Sequence, residues 1–130
     1  MIVFLPVKSN TGALLPWEYL GAAAGTYQAG QMLTVTEGKL AALSQASTTT
    51  PPYLCMADVE AGEGQIIPVT RVESGFVYET RLQAEYAEAK PGVKMQVDGD
   101  GLTASQGAGT FELVEVLGTK AGDTVRGRFE

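Results

Sequence analysis

The sequence predicts an all-β protein, and three observations lead to that class. Sixteen glycines and six prolines are spread along 130 residues and divide the chain into short runs, the usual arrangement for closely spaced strands joined by tight turns. Several of these runs alternate apolar and polar residues, which is the period of a strand with one wet face. No long amphipathic helical stripe is present. The length fits one domain with a single core.

The clearest strands lie in the last third of the chain. Residues 93–97 alternate apolar with polar side chains, and residues 125–129 do the same, with Arg126 and Arg128 on the wet face. Pro68 places its own strand at a sheet edge or a bulge, because proline has no N–H to give to a ladder. Further strands are predicted at residues 31–36, 39–43, 53–58, 65–72, 76–82 and 110–117.

Two secondary structures are compatible with the sequence of residues 81–89. Leu82, Tyr86 and Ala89 recur at helical spacing, whereas a strand that runs past Thr80 competes with a helix. Residues 44–52, rich in threonine with two prolines, are predicted to form a polar loop.

An internal sequence repeat strengthens the all-β prediction. Residues 29–35 resemble residues 91–97, and each segment reads as a turn, a strand and a glycine turn that leads to another strand. The opening recurs at residues 121–125 and in part at 61–63. The repeats suggest related hairpins that close a small barrel or form a sandwich of short antiparallel strands, and both arrangements remain open.

The N-terminal residues 1–20 form a predicted extended arm, followed by a single β domain over residues 21–130. The arm is rich in large apolar side chains and shows neither clean alternation nor a helical stripe. Those side chains pack either along the chain's own barrel or in a groove of a neighbouring subunit. Because aromatic residues dominate interface energetics, the predicted contact residues are Phe4, Leu5, Trp17 and Tyr19.

Charge, hydropathy and the single cysteine narrow the possible partners and location of the protein. A net charge of −6 with nine basic residues argues against nucleic acid, which needs clustered lysine and arginine. The sequence contains no membrane-spanning helix pattern, and its first residues, interrupted by Pro6, do not fit a secretory signal, so assembly in a cytoplasm is expected. The single cysteine, Cys55, has the apolar neighbours Leu54 and Met56 and is predicted to be a core residue.

The residues that usually carry catalysis are scarce. The sequence has no histidine and no glycine-rich phosphate loop, so neither a serine-protease arrangement nor nucleotide chemistry is predicted. A structural zinc site is excluded by the same shortage of ligands. The carboxylates that remain are interpreted as solvated strand and turn residues: Asp58, Glu60, Glu63, Glu73 and Glu79. We expect no catalysis and no cofactor.

Two polar features have alternative interpretations. Residues 98–101, Asp-Gly-Asp-Gly, suit a hairpin turn better than a calcium loop, because the other ligands of an EF-hand are missing. Arg71 with Glu73, and Glu79 with Arg81, share a strand face and are available for cross-strand or intersubunit ion pairs.

Two stretches of the chain resemble a known family. Residues 19–33, followed by Gly38-Lys39-Leu40, are similar to the opening of phage and prophage head decoration or cement proteins, and residues 53–69 resemble a later strand, acidic turn and strand of such proteins. The resemblance implies a compact β-barrel or β-tulip, a homotrimer at local three-fold positions, and binding to the major capsid protein on the outside of the virion. It implies no catalytic residue.

Two other functions stay open. One is a different virion or surface β module, such as a head-fibre base, a tail component or a carbohydrate-binding domain. The other is an enzyme that uses two carboxylates, which would need a cleft with two acids at catalytic separation.

Overall fold

In a computed structural model of the chain, the described residues are 3–9 and 17–129, and all their regular structure is β. No helix long and apolar enough to cross a membrane occurs among them. The thirteen strands in these residues are β1 (Leu5–Ser9), β2 (Trp17–Ala22), β3 (Gly25–Tyr27), β4 (Met32–Thr36), β5 (Lys39–Ala42), β6 (Tyr53–Cys55), β7 (Val59–Ala61), β8 (Gln65–Arg71), β9 (Phe76–Arg81), β10 (Lys94–Val97), β11 (Ala104–Ser105), β12 (Phe111–Val116) and β13 (Thr124–Phe129).

The strands form a closed barrel and an open sheet. The barrel has the order β2-β5-β4-β6-β8, and a six-stranded sheet has the order β1-β9-β13-β12-β10-β11. A short ribbon of β3 and β7 completes the described fold. The all-β prediction is confirmed. Barrel and sandwich were both open, and the structure has a five-stranded barrel with a second sheet packed on it.

Two hydrophobic cores hold these layers together. The first lies between the sheet and the outer side of the barrel, where Met32 and Leu54 from the barrel join the aromatic side chains of the sheet. Phe111 and Phe129 pack against each other there, with ring centroids 4.9 Å apart and ring planes tilted by 45°. The second core lies in and beside the barrel and combines aliphatic side chains with two buried tyrosines: Ala22, Tyr27, Leu33, Leu40, Tyr53, Cys55, Ala61, Ile67 and Val69.

The internal sequence repeat corresponds to a repeated turn. Residues 28–31, 90–93 and 120–123 each close a turn in which the fourth N–H donates to the first carbonyl, at 3.1, 3.2 and 3.0 Å. The third residue of each is a glycine with φ of +88°, +94° or +84°, and the residue before it keeps a negative φ. This is the type II pattern, which needs glycine at that position. Each turn delivers the chain into a strand.

The strand predictions from local alternation are confirmed, with boundaries that differ by up to three residues. The open segment 81–89 is neither a helix nor a continuing strand. β9 ends at Arg81, Leu82 forms one isolated bridge with Ala104, and the chain then turns.

The prediction that Pro68 marks an edge or a bulge is wrong. β8 lies between β2 and β6, with regular register to both. The Pro68 carbonyl accepts the Met56 N–H at 3.1 Å on the β6 side, and the nitrogen of a strand residue faces the same side as its carbonyl. β6 ends at Cys55, so the N–H that proline lacks falls just past the end of the ladder between β6 and β8.

The described parts of the predicted arm are built into the two sheets. β1 pairs with β9, and β2 pairs with β8 along its whole length, so the predicted boundary at residue 20 falls inside a barrel strand. The Phe4 N–H donates to the Gly30 carbonyl at 2.8 Å. A side chain at Gly30 would collide with Val3, so this glycine permits the close approach that anchors the N-terminal residues.

Candidate protein-docking surface

An apolar face lies on the outside of the barrel, where β2 and β8 run side by side. Trp17 is 51% exposed, Tyr19 64% and Ile66 60%, and Pro68 is half-buried beside them. We call these four residues the apolar face. They form a surface of large apolar side chains that the described part of the chain leaves open to solvent.

The strand register brings these side chains together. Tyr19 lies opposite Pro68, and Gly21 lies opposite Ile66. The alternate residues Leu20 and Ile67 are also opposite each other and point into the barrel. Because side chains alternate across a strand, residues 17 and 19 of β2 and residues 66 and 68 of β8 face outward, and the residues between them face the core.

The backbone of β2 has an open edge next to this face. Ala22 turns its carbonyl to the β8 side, where it accepts the Gly64 N–H at 2.8 Å. Leu20 and Glu18 therefore also bond to β8, whereas the main-chain groups of Trp17 and Tyr19 point the other way. On that side β2 pairs with β5 at Ala22 only, so no described strand meets those groups.

The seam between β2 and the β4–β5 hairpin holds an apolar socket of about 220 Å³. Val35, at 46% exposure, lies at its opening, and Leu40 is buried in the barrel core. The hairpin turns at Glu37 and Gly38, both with positive φ. The full lining is Leu20, Gly21, Val35, Gly38, Leu40 and Tyr53.

Ion pairs surround the seam. Arg71 Nε lies 3.5 Å from Glu18 Oε2, and the Arg71 guanidinium donates to the Tyr53 hydroxyl at 3.1 Å while it lies 5.2 Å from the Tyr53 ring centroid. Lys39 Nζ lies 3.3 Å from Glu63 Oε1 at the other end. Each pair is partly exposed, so each contributes at most about 1 kcal/mol.

The outward side of the six-stranded sheet is charged instead. Arg126 lies between two carboxylates, with Nη2 3.0 Å from Glu79 Oε1 and Nη1 3.2 Å from Glu115 Oε1. We call this row the charged face. Glu79 forms a cross-strand ion pair with Arg126, and Arg71 forms one with Glu18. The prediction that these residues are available for cross-strand ion pairs is therefore confirmed, and their partners lie on neighbouring strands.

The four predicted contact residues go to three different places. Trp17 and Tyr19 lie together on the apolar face. Leu5 is opposite Glu79 on the outward side of the sheet. Phe4 is fully buried, with its ring 5.5 Å from that of Phe111. It belongs to the chain's own core, because its main chain is tied to the Gly30 turn.

Sequence reasoning missed Ile66 and Pro68 as part of the surface. A signal was present, because residues 66–69 read Ile-Ile-Pro-Val without polar alternation. An antiparallel strand with one wet face alternates, and a strand that is apolar on both sides has a second surface to cover.

The carboxylates considered for chemistry have structural partners in several cases. Asp58 Oδ1 accepts the Ala29 N–H at 2.9 Å, and Asp100 Oδ1 accepts the N–H groups of Leu102 and Thr103 at 2.8 and 3.2 Å. Asp100 therefore caps the turn over residues 98–101, as the hairpin interpretation expects. Among residues 3–9 and 17–129, no three candidate ligands cluster in a way that suits a metal ion.

Cys55 is a core residue, as predicted. Its side chain is buried in the barrel, and its thiol donates to the Ala57 carbonyl at 3.2 Å. Burial raises the pKa of the thiol above its ordinary value, which keeps it protonated and unreactive at neutral pH.

No family model matches the chain, and no curated protein matches it either.

Proposed function

We propose that this chain is a structural, non-catalytic protein that binds the outer surface of a phage capsid and stabilises it, as a decoration or cement protein. Two independent supports lead to this proposal. Residues 19–33 and 53–69 resemble that family, and the apolar face supplies a surface suited to a protein partner.

The apolar face is the observation that carries the proposal. Interface energies are dominated by a few large side chains, with tryptophan and tyrosine enriched among them. Burying one such side chain contributes roughly 1.5–3 kcal/mol. Trp17 and Tyr19 stand on a strand that is paired to β8 along its length, so little conformational freedom is lost when a partner covers them.

A modest contact is sufficient for a capsid role. A shell repeats the same joint many times, and each copy of the protein that bridges neighbouring subunits adds to the resistance of the whole lattice. The proposed partner is the major capsid protein, and the proposed assembly is a homotrimer on the capsid surface, formed in the host cytoplasm. The net charge of −6 fits a protein surface better than nucleic acid.

The test is co-sedimentation of the purified protein with capsids of the phage or prophage that encodes it, with the solution mass measured by light scattering. We expect a trimeric mass and saturable binding, and we expect Trp17→Ala and Ile66→Glu to weaken binding without unfolding the protein. Leu117→Ala is the matched control, because Leu117 is equally exposed at 59% but lies outside the apolar face. Wild-type protein that stays in the supernatant would refute the proposal.

A carbohydrate-binding module is the second candidate, and one observation favours it. Trp17 and Tyr19 lie two residues apart on the same side of one strand and are both exposed, and exposed aromatic side chains are the residue type on which sugar rings stack. Retention on a glycan array, lost in Trp17→Ala, together with no capsid binding, would establish this alternative.

A further inference from the structure

We propose that the seam between β2 and the β4–β5 hairpin accepts one extended segment of the partner protein as an added strand. The inference deepens the proposed function, on which it rests for the identity of the partner. It assigns a binding mode, β-strand addition, to the open edge of β2 and to the socket beside it.

The backbone of β2 offers the hydrogen bonds that such a strand needs. Trp17 and Tyr19 direct their N–H and C=O groups away from β8, and the parallel pairing to β5 is limited to Ala22 and Leu40, extended by one bond from the Ala23 N–H to the Leu40 carbonyl at 2.8 Å. Unpaired groups at a strand edge are a template for another chain.

The socket fixes where the segment puts its side chains. A strand beside β2 points alternate residues to the barrel side, and on that side Leu20, Val35 and Tyr53 line a cavity of about 220 Å³. Such a volume suits one large aliphatic side chain. Residues on the other side of the added strand would lie on the outside of the barrel, next to Tyr19.

The hairpin next to the seam selects a single segment over a second copy of this chain. Glu37 and Gly38 form the tip of that hairpin, and Gly38 lines the same socket as Gly21. If two copies paired through their β2 edges, β8 of the second copy would lie next to its β2, about 4.8 Å further from the first copy. That strand would have to occupy the place of the hairpin, whereas an isolated extended segment has no such neighbour.

The charges around the seam favour a basic segment. Glu18 and Glu63 are paired with the cations Arg71 and Lys39, and Glu37 at the hairpin tip is the additional negative charge. Glu37 makes no ion pair with any residue in the described part of the chain. The occupant is therefore an extended segment of the capsid protein with one large aliphatic residue and a lysine or arginine beside it.

The experiment uses short synthetic peptides that alternate valine and lysine around a central leucine, labelled for fluorescence anisotropy. We expect saturable binding with a Kd below about 1 mM. A copy of the peptide with N-methylated backbone is expected not to bind, because it cannot pair with β2. No saturation by the unmodified peptide up to about 1 mM would overturn the inference.

A matched pair of variants isolates the backbone contribution. Tyr19→Ala removes the side chain and keeps the N–H, whereas Tyr19→Pro removes both. Proline is tolerated there because that N–H has no described partner, whereas Leu20→Pro, which breaks the bond to Ile67, is expected to unfold the barrel. We expect Tyr19→Pro to bind the peptide at least about 10-fold more weakly than Tyr19→Ala, with both variants folded by circular dichroism. Equal affinities would overturn strand addition.

The two proposals fail in distinguishable ways. Val35→Glu is expected to weaken peptide binding about 10-fold because it places a carboxylate at the socket, whereas Ile66→Glu, on the outer face, is expected to leave it unchanged. If Ile66→Glu abolishes capsid binding, but Val35→Glu leaves capsid and peptide binding unchanged and Tyr19→Pro binds both as well as Tyr19→Ala does, strand addition is wrong and the docking function stands. If peptides bind the seam but wild-type protein never sediments with capsids, the proposed capsid function is wrong.

Discussion

The outward sides of two β sheets in this molecule are filled by opposite kinds of side chain. On β2 and β8 the outward residues are Trp17, Tyr19, Ile66 and Pro68, whereas on β9, β13 and β12 the outward row is Glu79–Arg126–Glu115. Both surfaces lie on strands whose other side is a hydrophobic core. The architecture alone therefore does not explain the difference.

The contrast indicates which surface is better suited to a protein partner. A sheet side that faces only water carries polar and charged residues, and charged pairs also discourage association with other sheets. The charged face follows that rule. The apolar face does not follow it, and it adjoins an edge of β2 whose main-chain groups meet no strand among residues 3–9 and 17–129. Substitutions that affect only one of the two faces therefore distinguish their roles best.

The largest effect separates Phe4 from the surface residues. Phe4→Ala removes a fully buried ring that contacts Phe111 and Phe129, so we expect the free energy of unfolding in urea to fall by about 3–5 kcal/mol. Leu5→Ala, at the neighbouring exposed position, is the control and should change stability by less than about 0.5 kcal/mol. An unchanged stability in Phe4→Ala with weakened capsid binding would make Phe4 a contact residue after all.

The next effect tests the apolar face without touching the core. Tyr19→Ala is expected to weaken capsid binding about 10- to 30-fold, equivalent to about 1.4–2 kcal/mol. Its stability should stay within about 0.5 kcal/mol of wild type, since the ring is mostly exposed. Binding isotherms by co-sedimentation and urea unfolding measure the two quantities. A large loss of stability with normal binding would reverse the assignment.

The third effect is alkaline sensitivity of the core beneath the charged face. Burial raises the pKa of Tyr78 above its ordinary value of 10.0. The unfolded chain therefore loses the Tyr78 proton at a lower pH than the folded chain does. The contribution of Tyr78 to the free energy of unfolding is fully present below pH 10, and it falls as the pH rises towards the folded-state pKa, by at most about 1.4 kcal/mol per pH unit. Tyr78→Phe should flatten this fall in urea titrations between pH 9 and 11, even though it loses the hydrogen bond from the Glu73 N–H. An identical slope in wild type and variant would contradict the role of this tyrosine.

The smallest effect concerns the charged face itself. Arg126→Met removes two partly exposed ion pairs, and we expect a loss of no more than about 1 kcal/mol, which should shrink at high salt. Capsid binding should be unchanged. A substantial loss of binding in this variant would show that the charged face, and not the apolar one, meets the partner.

The fold was largely predictable because its signals are local. Residues 93–97 alternate within a few positions, and the turns over residues 28–31 and 90–93 carry glycine where a type II turn needs it. The short strands β3 and β7 were not predicted, since three residues are too few to display a period.

The site was predictable only in part, because it depends on contacts between distant segments. Trp17 and Tyr19 stood out as aromatic residues near the N-terminus, but their neighbours Ile66 and Pro68 reach them through the register of β2 with β8. The burial of Phe4 depends on Gly30 in the same way. Neither the edge of β2 nor the socket has any pattern in the linear sequence, since both arise where the barrel closes at a single pair.

The most direct test of the docking claim is hydroxyl-radical footprinting of the capsid-bound protein. We expect the side chains of Trp17, Tyr19 and Ile66 to be protected on the capsid, while Leu117, equally exposed in the free chain, keeps its reactivity. Protection of Leu117 and of the charged face, with Trp17 and Tyr19 as reactive as in the free protein, would contradict the account.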